Sequence, residues 1–243
     1  MTNPFKNNEQ LKSFYASPVG SRVVSIVTTH LQRVWKKNTP FLGVGYVIPF
    51  MQAMLSASAS CQKQVGLLPK NTPQPDFIHP QQQWLHLPDS ETFPVTSGEV
   101  DFIFLIHCLE QALYPQHMLR EVWRTLKPEG RALIFLTRST SAWTQEASSP
   151  FASKDIFNES EIKELVAQSH LTPLHTQHLL CLSPETLSNE TYPITLLEQT
   201  CQKIPWGFQG ALWALEVKKS PALSVPTASK NSLFSSFSLR GSS

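Results

Sequence analysis

The 243-residue chain is long enough for one sizeable core and too short for two comfortable domains. Hydrophobic residues make up 41% and charged residues 16%, a globular balance in which Ser, Thr, Gln and Asn carry much of the polarity. A net charge of +2 provides no basic field for sequence-independent nucleic-acid binding, so no DNA or RNA substrate is expected.

Cys61, Cys108, Cys181 and Cys201 stand far apart with no CxxC pair, which argues against zinc and against a disulfide framework. The N-terminal stretch MTNPFKNNEQLK lacks an apolar signal region. No apolar run approaches the ~20 residues of a membrane span. A cytoplasmic protein without a membrane span is the expectation.

In chain order, residues 1–38 form an N-terminal helical segment. Within it, Val19, Val23, Ile26, Val27, His30, Leu31, Val34 and Trp35 recur at helical spacing from Pro18 to Lys37, closing in basic residues that suit a helix C-terminus. This reads as an amphipathic lid or docking helix, and packing on a sheet edge is favoured over membrane contact because the basic residues form no stripe on the polar face. After Pro40 comes a short apolar strand ending in the turn of "FLGVGYVIPF" (41–50), then a helix from Pro49 to Ser58.

QVGLL (64–68) and WLHL (84–87) read as short strands separated by a proline-broken polar stretch. VDFIFLIHCL (100–109) is apolar on both faces, the pattern of a central parallel strand covered on either side. Pro115 to Lys127 is an amphipathic helix stopped by KPEG, and RALIFLT (131–137) is the next buried strand. Asn158 and Glu161 stand in capping-box relation at the start of another helix, and ALWALEVKK (211–219) is a last strand. Such alternation predicts a mostly parallel open α/β sheet with helices on both faces, spanning 39–219. The Ser/Pro-rich stretch 220–243 reads as a disordered tail.

The block SGEVDFIFLIHCLEQALYPQHMLREVWRTLKPEGRALIFL (97–136) closely resembles the central region of class I S-adenosylmethionine-dependent methyltransferases of the small-molecule type called methyltransferase type 11. Leu119, Arg120, Glu121, Arg124, Leu126, Lys127, Pro128 and Gly130 carry the match, and they are mainly structural positions. The resemblance extends over about residues 13 to 219 through the turn at 41–50, SPFASKDIF (149–157) and WGFQGALWALEVKK (206–219), landmarks that are similar to a branch of methyltransferase-like proteins with an unusual loop. It implies a Rossmann-like class I methyltransferase fold with an antiparallel last strand, and S-adenosylmethionine as cofactor.

The resemblance also implies a set of cofactor-binding residues: Gly43, Gly45 and Tyr46 in the turn after the first strand, Asp89 as acceptor for the adenine amino group, Ser90 or Glu91 through the backbone, and His107. The chain departs from the family at two places. Gly43 stands where the family carries an acid, and only Gly45 remains of the usual glycine run, with Val47 and Pro49 at the other two positions. The second strand ends in LLPK, with no carboxylate until Asp76. Two lost acids amount to two charge-assisted hydrogen bonds of ~1.5–3 kcal/mol each.

Methyl transfer is an in-line displacement from a sulfonium and needs positioning, with a base only for some acceptors. At the carboxyl end of the fourth strand, His107 is the candidate catalytic base or acceptor-orienting group; a cap or a bond to a neighbouring loop is its structural alternative. Glu110 either joins it or begins the next helix, and Arg138 either holds an anionic substrate or lies in solvent. His79, His86, His117, His170, His175 and His178 are scattered, and the two histidines of HTQH fall on opposite faces of a strand, so no metal site is expected.

These readings point to a methyltransferase acting on an unknown, small-molecule acceptor. A non-catalytic methyltransferase-like scaffold that binds a protein partner is the alternative. A nicotinamide-dependent dehydrogenase fits less well, since the turn has no GxGxxG and no acid about 20 residues later.

Overall fold

A computed structural model describes residues 8–36, 39–56, 63–76, 78–138, 143, 149–151, 157–189, 198, 200 and 210–220. The expected tail from 221 onward lies outside the described residues.

The chain opens with α1 (Asn8–Ala16) and α2 (Pro18–Val34). Then follow β1 (Phe41–Gly45), α3 (Ile48–Ser56), β2 (Gln64–Leu68), β3 (Gln82–His86) and β4 (Val100–Ile106). A 3₁₀ turn (Leu109–Gln111) leads to α4 (Pro115–Thr125) and β5 (Leu126–Thr137). The last elements are α5 (Glu159–Gln168), β6 (Leu171–Leu179), α6 (Pro184–Ser188) and β7 (Leu212–Lys219).

The strands form one seven-stranded sheet in the order β3-β2-β1-β4-β5-β7-β6. Strands β1 to β5 pair in parallel, and β7 runs antiparallel between β5 and β6. All five residues of β1 and all five of β2 are buried, as central parallel strands covered on both faces must be. One face carries Phe41, Phe104, Leu133 and Phe135 under α1, α2 and α3; the other carries Leu42, Val44, Ile103, Leu105 and Ile134 under α4 and α5.

The N-terminal segment is two helices rather than one. Ser17 caps α2 by accepting from the Gly20 amide, with Pro18 in the first turn where a missing N–H costs nothing. Val23, Val27 and Leu31 are fully buried in the core that holds Phe41 and Phe104, so α2 covers the sheet's face and not its edge.

The helix expected to run to Lys127 ends two residues earlier. Leu126 already pairs with Val100, and Lys127 to Gly130 loop out opposite Asp101 before Arg131 pairs with Phe102. Lys127 closes this bulge with a 2.6 Å ion pair to Asp101, and Glu129 takes a φ of 62°. The fourth strand likewise stops at Ile106, because His107 turns the chain with a φ of 50°. The capping box at Asn158 and Glu161 forms as the spacing predicts, with both reciprocal bonds present.

The block in α4 that carries the resemblance has a mechanical role. The buried Glu121 carboxylate accepts from the Phe93 amide at 2.8 Å and from two nitrogens of Arg124. Arg124 in turn donates to the carbonyls of Phe93 and Val95 and to Ser97 Oγ. The pair clamps the loop that delivers the chain from β3 to β4.

Candidate active site at the carboxyl ends of the strands

In a parallel sheet of this kind ligands bind outside the carboxyl ends of the strands. Here that rim is formed by Tyr46 after β1, Pro69–Asp76 after β2, Leu87–Glu91 after β3, His107–Gln111 after β4 and Arg138 after β5.

The turn after β1 is held against β4. The Tyr46 amide donates to the Ile106 carbonyl at 3.2 Å. Gly45 has a φ of 100°, and a Cβ on it would lie 2.2 Å from that same carbonyl oxygen, so no side chain fits there. Gly43 is small for another reason: its missing Cβ leaves room for the Phe104 ring and Met51 sulfur in the core. Both glycines serve packing between strands and core.

A cleft of about 370 Å³ lies beside Tyr46. Asn8 and Lys12 of α1 line it, with Gln52 of α3 and the segment Thr72 to Asp76. Its size lies within the range of small-molecule sites. Asp76, the first carboxylate after β2 in the sequence, thus reaches the same cleft as the β1 turn, carried there by the proline-broken loop. Burial, with the Glu9 carboxylate adding to it, pushes the Tyr46 phenol up to about 12, so Tyr46 lines the cleft as a neutral hydroxyl.

Behind Tyr46 lies an aromatic cluster. The Tyr15 ring stacks on Tyr46 with centroids 5.8 Å apart and an interplanar angle of 16°, and meets Phe50 edge-on at 5.2 Å. Tyr15 Oη lies 2.6 Å from His107 Nε2. His107 is 5% exposed, its ring 5.4 Å from that of Phe151, and burial lowers its pKa to about 4. Its partner is therefore neither a helix end nor a neighbouring loop but a side chain 92 residues away.

Glu110 is also part of the rim. Its Oε1 accepts from the Thr137 amide at 2.9 Å and from Thr137 Oγ1, tying the end of β4 to the end of β5, while burial raises its pKa. The carboxylate of Glu91 accepts from the amides of Leu113 and Tyr114, fixing the entry to α4.

The other expected residues are placed differently. Asp89 is well exposed and engaged by Lys70 at 2.7 and 2.9 Å. Ser90 sits beside it on the exposed turn. Arg138 bonds His178 Nδ1 at 3.3 Å and lies over the Trp213 ring, so it is held by β6 and β7. The structure thus joins Tyr46 and His107 through Tyr15, and leaves Asp89 and Ser90 on the β3 side of the rim. Sequence reasoning missed Tyr15 because nothing in NEQLKSFYA marks one aromatic residue as the partner of a distant histidine.

Residues 50–134 match a family model described as a methyltransferase domain. The fold is that of the class I S-adenosylmethionine-dependent methyltransferases. A protein solved in complex with the Haloferax volcanii Trm112 methyltransferase activator is 12% identical, with a TM-score of 0.62 over 88% of this chain and 98% of that one. An S-adenosylmethionine-dependent methyltransferase from Aquifex aeolicus is 11% identical, with a TM-score of 0.57 over 87% and 97%. Another from Thermotoga maritima is 14% identical, with a TM-score of 0.59 over 90% and 97%. Among curated proteins none matches.

The cleft lies at the turn after β1 and the loop after β2, with the neutral Tyr46 phenol and the exposed Asp76 carboxylate on its wall. No helix among the described residues is long and apolar enough to cross a membrane.

Proposed function

We propose that the chain binds S-adenosylmethionine in the cleft beside Tyr46 and transfers its methyl group to a small-molecule acceptor. The observation that carries this reading is the meeting of Tyr46 and Asp76 in one cleft at the carboxyl ends of β1 and β2. Asp76 would accept from the ribose hydroxyls, replacing the acid missing directly after β2. Gly45 keeps the turn tight, Tyr46 contacts the cofactor, and Asp89 and Ser90 receive the adenine end when Lys70 yields its ion pair. Gly43 acts indirectly, by keeping the strand beneath the turn close to its neighbours.

When bound, S-adenosylmethionine supplies an electrophilic methyl group on a cationic sulfur. The chain's own contribution is placement and desolvation. His107 lies at the end of β4 on the Tyr15 side of the turn, where it orients the acceptor as a neutral ring. Tyr15, Phe50 and Phe151 keep water from that end of the site.

The test is calorimetric titration of S-adenosylmethionine and S-adenosylhomocysteine into the purified chain, with Asp76→Ala and Asp89→Ala variants. Saturable heat that weakens by about tenfold in Asp76→Ala supports the reading, since one hydrogen bond to a charged group is worth roughly that much. Absence of heat from a folded wild-type chain overturns it.

A second reading is a methyltransferase-like protein that serves a protein partner. It is favoured by the packing that accounts for Gly43 and Gly45, by the Lys70–Asp89 pair, and by the similar protein that was solved with an activator subunit. A folded chain without cofactor heat would move this reading ahead.

A further inference from the structure

We infer that Tyr15 of α1 is a positioning residue of the site: its hydroxyl donates to His107 Nε2 and fixes that histidine as the neutral imidazole protonated on Nδ1.

The corner between α1 and α2 leaves Tyr15 little freedom. Ser17 accepts from the Gly20 amide and donates to the Phe14 carbonyl at 2.6 Å. A Cβ on Gly20 would lie 2.0 Å from the Phe14 carbonyl oxygen and 2.6 Å from the Tyr15 Cα, so α2 presses directly on the end of α1. The remaining sides of the Tyr15 ring are taken by Phe14, Tyr46 and Phe50. What is left to the phenol oxygen is the His107 ring, 2.6 Å away.

The direction of that bond follows from counting donors. A phenol carries one proton, and a buried hydroxyl proton without an acceptor is costly. Among the described residues His107 Nε2 is the hydrogen-bond partner of Tyr15 Oη. If Nε2 carried a proton and donated to the oxygen, the phenol proton of Tyr15 would have no acceptor among the described residues. If the phenol donates, Nε2 is the bare acceptor and the ring proton resides on Nδ1. The left-handed backbone at His107, with a φ of 50°, is the sort of strain that persists where the surroundings fix a residue's aim.

The consequence for the site rests on the methyltransferase reading. Nε2 is occupied, so on that reading His107 would serve an acceptor as an N–H donor through Nδ1 rather than as a base through Nε2. Because Tyr15 also stacks on Tyr46, which lines the cleft, the same ring connects the cleft wall to the histidine.

The experiment is imidazole ¹⁵N–¹H correlation spectroscopy on the ligand-free, ¹⁵N-labelled full chain near neutral pH, with His107 identified by its loss in His107→Gln. The expected spectrum shows a protonated Nδ1 and a hydrogen-bonded, unprotonated Nε2. In Tyr15→Phe, which retains the ring and its stacking, the Nε2 signal should move to the position of an unbonded nitrogen or the tautomer should switch. A protonated Nε2 in the wild type overturns the inference, as does an unchanged His107 pattern in a folded Tyr15→Phe. If that variant fails to fold, the wild-type tautomer alone decides. No cofactor enters the measurement, so its outcome is separable from that of the calorimetric test.

Discussion

Removing the Glu121 carboxylate should unfasten the loop between β3 and β4 more than it weakens α4. The side chain is 9% exposed and Arg124 is 25% exposed, with 2.7 and 2.8 Å bonds between them and a 2.8 Å bond to the Phe93 amide. Glu121→Ala leaves the guanidinium without its counter-charge and the Phe93 N–H without an acceptor. Breaking a fully buried pair costs about 3–5 kcal/mol; allowing for the partial exposure of Arg124, about 2–4 kcal/mol is expected. With a urea slope of roughly 3 kcal/mol/M, the unfolding midpoint should fall by about 1 M. Glu121→Gln keeps the shape and one acceptor, and should cost about half as much. Native-state hydrogen exchange should quicken first at the amides of residues 93–99. Midpoints within about 0.2 M of wild type for both variants would refute the clamp.

Other outcomes follow from the same geometry. Gly45→Ala forces a side chain to a φ of 100° and against the Ile106 carbonyl, and should cost about 2–4 kcal/mol in chemical denaturation; a loss below about 1 kcal/mol would contradict the packing role given to this glycine. His30 and His107 both have pKa values lowered from 6.5 to about 4, by burial in each case, with Arg33 and His175 adding at His30. The unfolded chain therefore takes up protons that the folded one refuses, so stability is full above about pH 6.5 and declines as pH falls towards 4. His30→Leu should flatten part of that decline in urea titrations, and an unchanged pH dependence would count against the buried neutral ring. Cys108 is buried with its sulfur 3.2 Å from that of Met118, and burial pushes its thiol up; it should resist alkylation in the native state and react only on unfolding. Rapid native labelling of Cys108 would contradict this packing.

The sequence by itself determined the alternation of strands and helices, because the evidence for it is local and repeated; the antiparallel last strand was implied only by the family resemblance, and the strand order came from the tertiary structure. Apolar runs at 41–45, 64–68 and 100–106 are buried on both faces, and that burial pattern is written in consecutive residues. The capping box at Asn158 and the helix start at Pro18 are equally local, since the groups concerned lie within three residues of one another. The α4 block carried the family resemblance, yet what Glu121 and Arg124 hold became visible only with the loop at 93–97 in place.

The site was legible only as a set of strand ends. Gly45 ends β1, and Tyr46 and His107 follow β1 and β4 at the rim, as their order in the chain implies, but the partners of Tyr46 and His107 come from elsewhere in the chain. Tyr15 reaches His107 across 92 residues, and no periodicity or motif encodes such a meeting. Asp76 stands eight residues past β2, and only the path of the intervening loop brings it to the cleft beside Tyr46. Helix and strand patterns are properties of neighbouring residues and survive in one dimension. Which side chains share a cleft depends on loop paths and on how α1 docks, and that is decided by packing of the whole chain.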